Sequence, residues 1–311
     1  MPIISYAQNR EDVLLARAFG EQKSGFYVDV GAAHPKDHSV TKHFYDHGWH
    51  GINIEPHPDF FRLLCAERPR DINLNVGVSD REGVLTFYEH RVLGGSSTFD
   101  TELADYFRAE GVELVEHEIT VTTLAKICEE HVVEEIDFLK IDVEGFEPQV
   151  LAGADFKRFR PRVVLIESID PRTRRVERDE PPIPGYVSTL FDGINRFYVG
   201  RRERELARTL SVPANFLDDY VPVEAVELRR ELDGLRSSSD AMRADLDATR
   251  SQLEDMRSQL ADMQSQLDAA RTAVTETRSK HAEARAALRD ARAEVAALRA
   301  VLLAADADER R

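Results

Sequence analysis

Several features that the sequence lacks exclude whole classes of protein. It has no long apolar run, and a charged residue, Arg10, occurs early in its amino-terminal segment. We therefore expect neither a secretory signal nor a membrane span, and we predict a cytoplasmic protein. Its two cysteines, Cys65 and Cys128, lie in helical-looking segments without metal-ligand spacing, which predicts reduced structural thiols. The missing Gly-x-Gly-x-x-Gly motif weakens the alternative of a nucleotide-sugar or dinucleotide oxidoreductase.

Aromatic residues are absent from the last part of the chain. After Tyr220 there is no Phe, Tyr or Trp, and the only proline and glycine are Pro222 and Gly234. The segment is dominated by Ala, Leu, Arg, Glu, Asp and Gln, a composition typical of helix alone. We therefore predict two domains, residues 1–220 and residues 221–311.

Positive charge is scarce in the first of these domains. The formal net charge of the chain is −16, and residues 221–311, with 18 acidic and 15 basic residues, carry only −3 of it. The remainder lies on residues 1–220. Because nucleic-acid binders gain affinity from cationic contacts with phosphates, this balance argues against a nucleic-acid partner.

Three short apolar runs of the first domain end at an acidic residue or a glycine. They are residues 26–33 (FYVDVGAA), 52–56 (INIEP) and 138–145 (FLKIDVEG). Buried parallel strands deliver polar groups to the carboxyl edge of an open α/β sheet in this way. With a third strand over residues 72–78 and a hairpin around Asp192 and Gly193, they predict a mostly parallel sheet with a terminal antiparallel pair. A capping box at residues 5–8 predicts a helix through Phe19.

These motifs resemble those of the S-adenosylmethionine-dependent methyltransferases of the FkbM type. The match covers roughly residues 3–220 and includes SYAQNRED (5–12), DVGA (29–32), GWHGINIEP (48–56), LKIDVEGFE (139–147) and FDGINRFYV (191–199). The resemblance implies a Rossmann-like class I methyltransferase fold with a seven-stranded sheet. It also implies S-adenosyl-L-methionine as the methyl donor and O-methylation of a sugar hydroxyl in a glycan or glycolipid.

Such a donor presents an amino-acid end, a ribose and an adenine ring. We assign Asp29 and Gly31 to the amino-acid end, where the glycine lets the backbone approach and the amides of Ala32 and its neighbours could face a carboxylate. Glu55, followed by Pro56, is the predicted acceptor for the ribose hydroxyls, and Asp80, after the third strand, for the adenine amine. Each of these residues could instead cap a helix or make a turn. Three carboxylates in register at the ends of successive strands, however, favour a ligand-binding role.

The fourth strand is expected to face the transferred methyl group. Lys140, Asp142 and Glu144 share one face if the chain stays extended. Transfer to a hydroxyl requires removal of its proton, and Asp142 is our first candidate for the base, with Glu144 and His34 as alternatives. Lys140 could pair with either carboxylate, or such a pair could only hold the strand end, and His34 could be merely solvated. No cluster of histidines and carboxylates has metal-ligand spacing, so we predict no metal.

The carboxy-terminal segment carries a heptad repeat. From Leu228 to Ala305, apolar or small residues recur at alternating intervals of three and four, which is typical of a left-handed coiled coil. Arginine fills the e positions, at residues 236, 243, 250, 257, 271, 278, 285, 292 and 299. These arginines would oppose one another in an antiparallel pair, whereas parallel pairing lets Glu231, Asp245 and Glu294 at g reach the next e position. We therefore predict a parallel homodimer through residues 228–305.

Other roles for this segment stay open. The helix could dock another protein, such as a glycan-assembly enzyme, act as a length gauge, form a trimer or remain a single helix. The whole chain could also be a non-catalytic oligomeric adaptor that keeps only the fold of a methyltransferase.

Overall fold

The computed structural model describes residues 2–20, 22–132, 135–170, 172–173, 175–176 and 181–308, with the backbone alone for residues 175–176 and 301–308. Over these residues it has strands, α-helices and two short 3-10 helices, at Gly94–Ser96 and Phe216–Asp218. In chain order the strands and α-helices are β1 (Ile3–Ser5), α1 (Glu11–Phe19), β2 (Phe26–Val30), α2 (Lys42–Asp46), β3 (His50–Ile54), α3 (Pro58–Glu67), β4 (Ile72–Leu74), β5 (Gly77–Val78), β6 (Gly83–His90), α4 (Thr101–Ala109), β7 (Leu114–Thr122), α5 (Leu124–His131), β8 (Phe138–Ile141), α6 (Glu147–Ala152), β9 (Val163–Glu167), β10 (Ile169–Asp170), β11 (Arg175–Val176), β12 (Tyr186–Phe191), β13 (Asn195–Gly200), α7 (Arg204–Thr209), β14 (Tyr220–Pro222) and α8 (Val223–Asp308).

Seven strands form one large sheet in the order β12-β13-β9-β8-β2-β3-β4. The strands from β9 to β4 run parallel, while β13 pairs antiparallel with both β9 and β12. Every residue of the central strand β2 is buried, because helices cover both faces of a parallel sheet. The prediction of an α/β domain with a mostly parallel sheet and a terminal antiparallel hairpin is confirmed.

Two hydrophobic clusters cover the two faces of this sheet. On one face Val28 and Leu139 pack beneath α5 and α6. On the other face the rings of Tyr27 and Phe138 stack with centroids 5.6 Å apart, beneath α1 and α2. Because successive side chains of a strand point to opposite faces, Asp29 lies on the same face as Tyr27.

The expectation of a single strand over residues 72–78 is wrong. β4 is the edge of the large sheet, whereas β5 belongs to a separate three-stranded sheet, β5-β7-β6. The break falls at Asn75, whose side-chain amide donates to the carbonyl oxygens of Glu55 and Pro56 at 2.8 and 3.0 Å. These two hydrogen bonds hold the chain against the end of β3, and the ladder stops there.

The first helix begins later than the sequence predicts. Ser5, the predicted cap, instead ends β1, which pairs in parallel with β14. Its hydroxyl donates to Asp12 Oδ1 at 2.7 Å, and Asp12 Oδ2 accepts from the N–H groups of Tyr6 and Ala7. Asp12 therefore organises this turn, and α1 begins one residue before it.

The two cysteines are free thiols in different environments. Cys128 of α5 is buried in the core, and burial raises its pKa to about 12, as is typical of an unreactive structural thiol. Cys65 is exposed on α3. The expectation of a structural role is therefore wrong for Cys65.

One helix, α8, spans 86 residues at the end of the chain. The predicted seam is exposed along it, with exposed fractions of 62% at Leu228, 45% at Leu253 and 61% at Val295. The seam positions Leu302 and Ala305 lie outside the described side chains. The chain divides into two compact units, Met1–Leu228 and Arg229–Arg311. In the part of the chain that the structure describes, no helix is both long and apolar enough to span a bilayer.

Candidate active site

Glu55 follows β3 at the carboxyl edge of the large sheet, and two backbone amides hold its carboxylate. Oε1 accepts from the N–H of His57 and Oε2 from the N–H of Ala33, both at 2.7 Å. The residue is 4% exposed, and burial raises its pKa to about 7 although these hydrogen bonds act to lower it. Because each carboxyl oxygen has a second lone pair, Glu55 can still accept hydrogen bonds from hydroxyl groups of a ligand.

The turn after β2 contacts Glu55 but does not offer the free amides that we expected. The N–H groups of Gly31 and Ala32 both donate to the carbonyl oxygen of Ile54, at 3.0 and 3.2 Å. Gly31 has a φ of +79°, and a Cβ there would lie 1.8 Å from the carbonyl oxygen of Asp142. The glycine is therefore needed for contact between this turn and the segment after β8, and the expectation that the two amides face a ligand is wrong.

A buried lysine links the ends of β2 and β8. Lys140 Nζ lies 3.4 Å from Asp29 Oδ1 and 3.2 Å from Asp142 Oδ2, and it donates to the carbonyl oxygen of Gly31 at 3.1 Å. Burial alone would lower the pKa of Lys140, but the carboxylates of Asp142 and Asp29 raise it well above its ordinary value. The ammonium therefore stays charged and stabilises negative charge on Asp142.

Asp29 acts from beneath the surface of this site. It is 1% exposed, its Oδ2 accepts from the hydroxyl of Thr41 at 3.2 Å, and burial raises its pKa. Both of its oxygens therefore face groups of the protein. The structure makes Asp29 an anchor for Lys140, rather than the direct ligand contact that we expected from the sequence.

Asp142 and Glu144 do not lie on one extended face. β8 ends at Ile141, and Glu144 has a φ of +53°. The carbonyl oxygen of Glu144 accepts from the hydroxyl of Thr98 at 2.8 Å, which ties this turn to the loop before α4. Lys140 pairs with Asp142, one of the two carboxylates that we considered as its partner from the sequence. The Asp142 side chain is 34% exposed. Asp142 can therefore meet a substrate from solvent while the lysine beside it stays buried.

Four carboxyl groups gather at the ends of β8 and β9. Oxygen atoms of Asp142, Glu144 and Glu167 lie within 4.8 Å of one another, and Glu147 of α6 adds its charge nearby. Burial, followed by the neighbouring carboxylates of Asp142, Glu144 and Glu147, raises the pKa of Glu167 to about 11. Burial also raises the pKa of Glu147 to about 7. Burial and these neighbours therefore favour the neutral form of Glu167.

The sequence did not indicate this cluster, because no group of histidines and carboxylates has metal-ligand spacing along the chain. Three oxygens so close together could surround one hard divalent cation. Acidic groups often lie together without an ion, however, and a carboxyl group that holds a proton is a poor ligand. We therefore assign no metal to these residues.

His34 is a weaker candidate for the base than the sequence suggests. Its Nδ1 accepts from the backbone N–H groups of Lys36 and Asp37, at 3.2 and 2.9 Å. A nitrogen that already accepts two hydrogen bonds is not available to remove a proton from a substrate. The ring is better described as the organiser of the turn at residues 34–37.

Contrary to our expectation, Asp80 does not follow a strand of the large sheet. It is exposed and follows β5 in the small sheet, and its Oδ1 accepts from the hydroxyl of Ser79 at 3.1 Å. The expectation of a third carboxylate in register on the large sheet fails because the strand breaks after Leu74.

Three polar residues of this region were missed in the sequence. Glu167 ends β9 and follows an apolar run. The same pattern indicated Glu55 in the sequence, and it could have indicated Glu167 as well. Asn75 orders the segment after Glu55. Glu147 Oε1 accepts from the N–H groups of Val143 and Gly145, at 3.0 and 3.3 Å. These contacts of Asn75 and Glu147 depend on the folded backbone and have no local sequence signal.

Residues 29–205 match the family model described as "Methyltransferase FkbM domain", a range that contains Glu55, Lys140, Asp142 and Glu167. Among solved structures, the chain is similar to a methyltransferase FkbM from Methylobacillus flagellatus KT, with 14% identity and a TM-score of 0.34. That alignment covers 59% of this chain and 47% of the other, so the match spans about half the length of that protein. No curated protein matches the chain.

Proposed function

The chain belongs to the FkbM methyltransferase domain family, and from this premise we propose that it is an S-adenosyl-L-methionine-dependent O-methyltransferase. The acceptor that we propose is a sugar hydroxyl of a glycan or glycolipid, as the sequence resemblance implies. One observation carries the proposal. The buried carboxylate of Glu55 contacts the turn after β2 and shares a sheet edge with the Lys140–Asp142 pair.

The topology of the sheet supports the same proposal. After β2 the chain adds β3 and β4 on one side, and it later adds β8 and β9 on the other. Open α/β sheets bind ligands beyond the carboxyl ends of their strands, at the point where the order reverses in this way. We propose that the sheet is that of a Rossmann-like class I methyltransferase, with the donor above the ends of β2 and β3.

The donor would be held chiefly at its ribose. When bound, S-adenosyl-L-methionine supplies an electrophilic methyl group carried on a sulfonium. Glu55 would accept hydrogen bonds from the ribose hydroxyls, while Asn75 keeps the following segment in place. Gly31 and Asp29 would contribute by shaping the turn and anchoring Lys140. Asp80 is not part of this proposed site.

Asp142 would take the proton of the acceptor hydroxyl as its oxygen becomes methylated. The side chain is partly exposed, and its Oδ2 faces Lys140, so Oδ1 is the oxygen that would accept the proton. The adjacent ammonium lies 3.2 Å from Oδ2, on the side away from the oxygen that would act as the base. Lys140 would then hold Asp142 in a fixed orientation during transfer.

The test is methyl transfer from labelled S-adenosyl-L-methionine to a cell-envelope glycan extract. We expect the wild-type protein to label the extract and Asp142→Asn to bind the donor normally but lose transfer, by about a hundredfold or more, as general bases contribute. Lys157→Gln, a change on the exposed surface, is the control and should retain transfer. Normal transfer by Asp142→Asn would show that Asp142 is not the base, and a wild type that binds no donor would favour the adaptor.

We further propose that two copies associate in parallel through the predicted seam at residues 228–305. An isolated helix would leave this stripe of leucine and methionine in water, and a second copy would cover it. Three of the arginines at e, Arg236, Arg250 and Arg271, form exposed, weak pairs within their own helix, such as Arg250 with Asp247 at 3.9 Å. Parallel pairing leaves them free to meet acidic g residues of the partner copy.

A further inference from the structure

Glu167 lies where three elements meet at the edge of the large sheet. The end of β8 presents Lys140, Asp142 and Glu144, and α6 presents Glu147. On the other side β13 pairs with β9, which sets Asn195 opposite Glu167 in the ladder. The Asn195 amide donates to Glu11 Oε1, and the guanidinium of the next residue, Arg196, lies over the Phe191 ring, 4.9 Å from its centroid.

The surroundings of Glu167 favour a protonated carboxyl group. Oε2 is shielded from solvent, and no N–H or O–H group in the described part of the chain donates to it. The lysine of the cluster, Lys140, lies against Asp29 and Asp142. An ionised carboxylate in this place would be desolvated and uncompensated beside Asp142.

Carboxyl oxygens of Glu167 and Asp142 lie within 4.8 Å of each other, so that a hydrogen bond could form between the two groups. Two carboxylates cannot form such a bond unless one of them carries a proton. Lys140 favours the charged form of Asp142, since its Nζ lies 3.2 Å from Oδ2. In a hydrogen bond between the two groups, Glu167 would therefore carry the proton and donate, and Asp142 would accept.

We propose that Glu167 is a positioning residue, a neutral acid whose O–H hydrogen bond aims the carboxylate of Asp142 at the acceptor hydroxyl. Asp142 then lies between two fixed donors, the ammonium of Lys140 and the acid of Glu167. In the reaction the hydroxyl proton passes to Asp142, and Glu167 keeps its own proton throughout. The role in transfer rests on the proposed function, but the proton on Glu167 does not.

The proposal gains support from the charge count of the cluster. Asp142, Glu144, Glu147 and Glu167 would place four negative charges around one buried ammonium if all were ionised. Like charges at such separations raise one another's pKa, and Glu167 faces the other three carboxyl groups. A neutral Glu167 relieves this repulsion and leaves the charge on Asp142, where a base needs it.

Two variants of the full chain separate a neutral donor from a charged carboxylate. Glu167→Gln keeps the shape and an N–H donor for Asp142 but cannot ionise, whereas Glu167→Leu fills similar space with no donor. With labelled S-adenosyl-L-methionine and a cell-envelope glycan extract, we expect Glu167→Gln to retain transfer to within about threefold. We expect Glu167→Leu to lose about tenfold to a hundredfold, the value of a hydrogen bond to a charged group.

The pH profile tests positioning separately from a merely structural role. Without the donor, the carboxylate of Asp142 is less stabilised, so the acidic limb of the transfer rate should move to higher pH in Glu167→Leu. The limb should stay in place in Glu167→Gln. Donor affinity should be unchanged in both variants, because the variants alter only the methyl-accepting side of the site.

Infrared difference spectra of wild type minus Glu167→Gln give a readout that needs no substrate. At pH 9, where groups with a pKa of about 7 such as Glu147 are ionised, we expect the carbonyl band of a protonated carboxylic acid, shifted in heavy water. Absence of this band overturns the inference, whatever the transfer assay shows. The inference is also overturned if Glu167→Gln loses transfer and the size of this loss depends on added magnesium. Glu167 would then act as a carboxylate ligand of the ion. A wild type with the band but no donor binding would instead overturn the proposed function.

Discussion

At the residue scale, the ionisation of Glu55 links the fold to donor binding. Burial raises its pKa to about 7, so the carboxylate that should accept the ribose hydroxyls is only partly ionised at neutral pH. The ionised fraction rises with pH, and apparent affinity scales with the fraction of the competent form. We therefore expect the affinity for S-adenosyl-L-methionine to increase about tenfold from pH 6 to pH 8. Calorimetric titration at both pH values checks this, and a constant affinity would mean that another group holds the ribose.

The sequence indicated the carboxylates of this site better than it indicated their partners. Glu55 and Asp142 follow apolar runs, and a residue at the end of a buried parallel strand must lie at the carboxyl edge. Which donor reaches which oxygen depends on the folded turns. For this reason the amides of Gly31 and Ala32, expected to be free, instead bind the carbonyl oxygen of Ile54.

At the element scale, the turn after β2 depends on a glycine that two different effects require. Gly31→Ala would suffer both a positive φ and a Cβ 1.8 Å from Asp142 O, whereas Gly111→Ala has the same backbone strain, with φ +80°, and open space. We expect Gly111→Ala to cost about 1–2 kcal/mol in free energy of unfolding. Gly31→Ala should cost about 1–3 kcal/mol more from overpacking.

Urea unfolding of the two variants measures this difference. Equal losses of stability would mean that the β2 turn does not pack against the segment after β8 as described. A weaker donor affinity in Gly31→Ala alone would add that this contact also shapes the site.

The elements that the sequence missed share one physical cause. Apolar periodicity indicated the parallel strands and α8, because burial on both faces or along one stripe is a local pattern. The break after Leu74 and the late start of α1 depend on side chains that bond backbone groups far along the chain or across a turn. Asn75 ends β4 by binding carbonyls beyond β3, and Asp12 replaces the expected cap at Ser5.

At the scale of the whole molecule, the seam of α8 predicts a dimer. Leu253 and Leu260 occupy the seam and are 45% and 54% exposed in the single chain. Leu253→Asp with Leu260→Asp should give a monomer in sedimentation equilibrium. The matched control, Ser251→Asp with Ser258→Asp, adds the same charge away from the seam and should remain dimeric. If the wild-type protein sediments as a monomer, the prediction of a dimer through this seam is wrong.

Chain direction needs a separate measurement. Leu232→Cys, in a Cys65→Ser background that removes the exposed native thiol, should form a disulfide between copies if the helices are parallel and in register. An antiparallel pair would place these thiols at opposite ends and leave them reduced. The heptad spacing predicts the helix and its seam, but the number and direction of the chains depend on contacts that one copy does not contain.

Calorimetric titration of S-adenosyl-L-methionine at pH 8 tests the whole account most directly. We expect the wild type to bind and Glu55→Ala to bind at least about tenfold more weakly, because hydrogen bonds to a charged acceptor are lost. The control is Glu11→Gln, which alters another buried carboxyl group with a pKa of about 7 that already binds Asn9 and Asn195, and it should bind normally. Equal affinity in the wild type and Glu55→Ala, or no binding by either, would contradict a donor site at the carboxyl edge of β3.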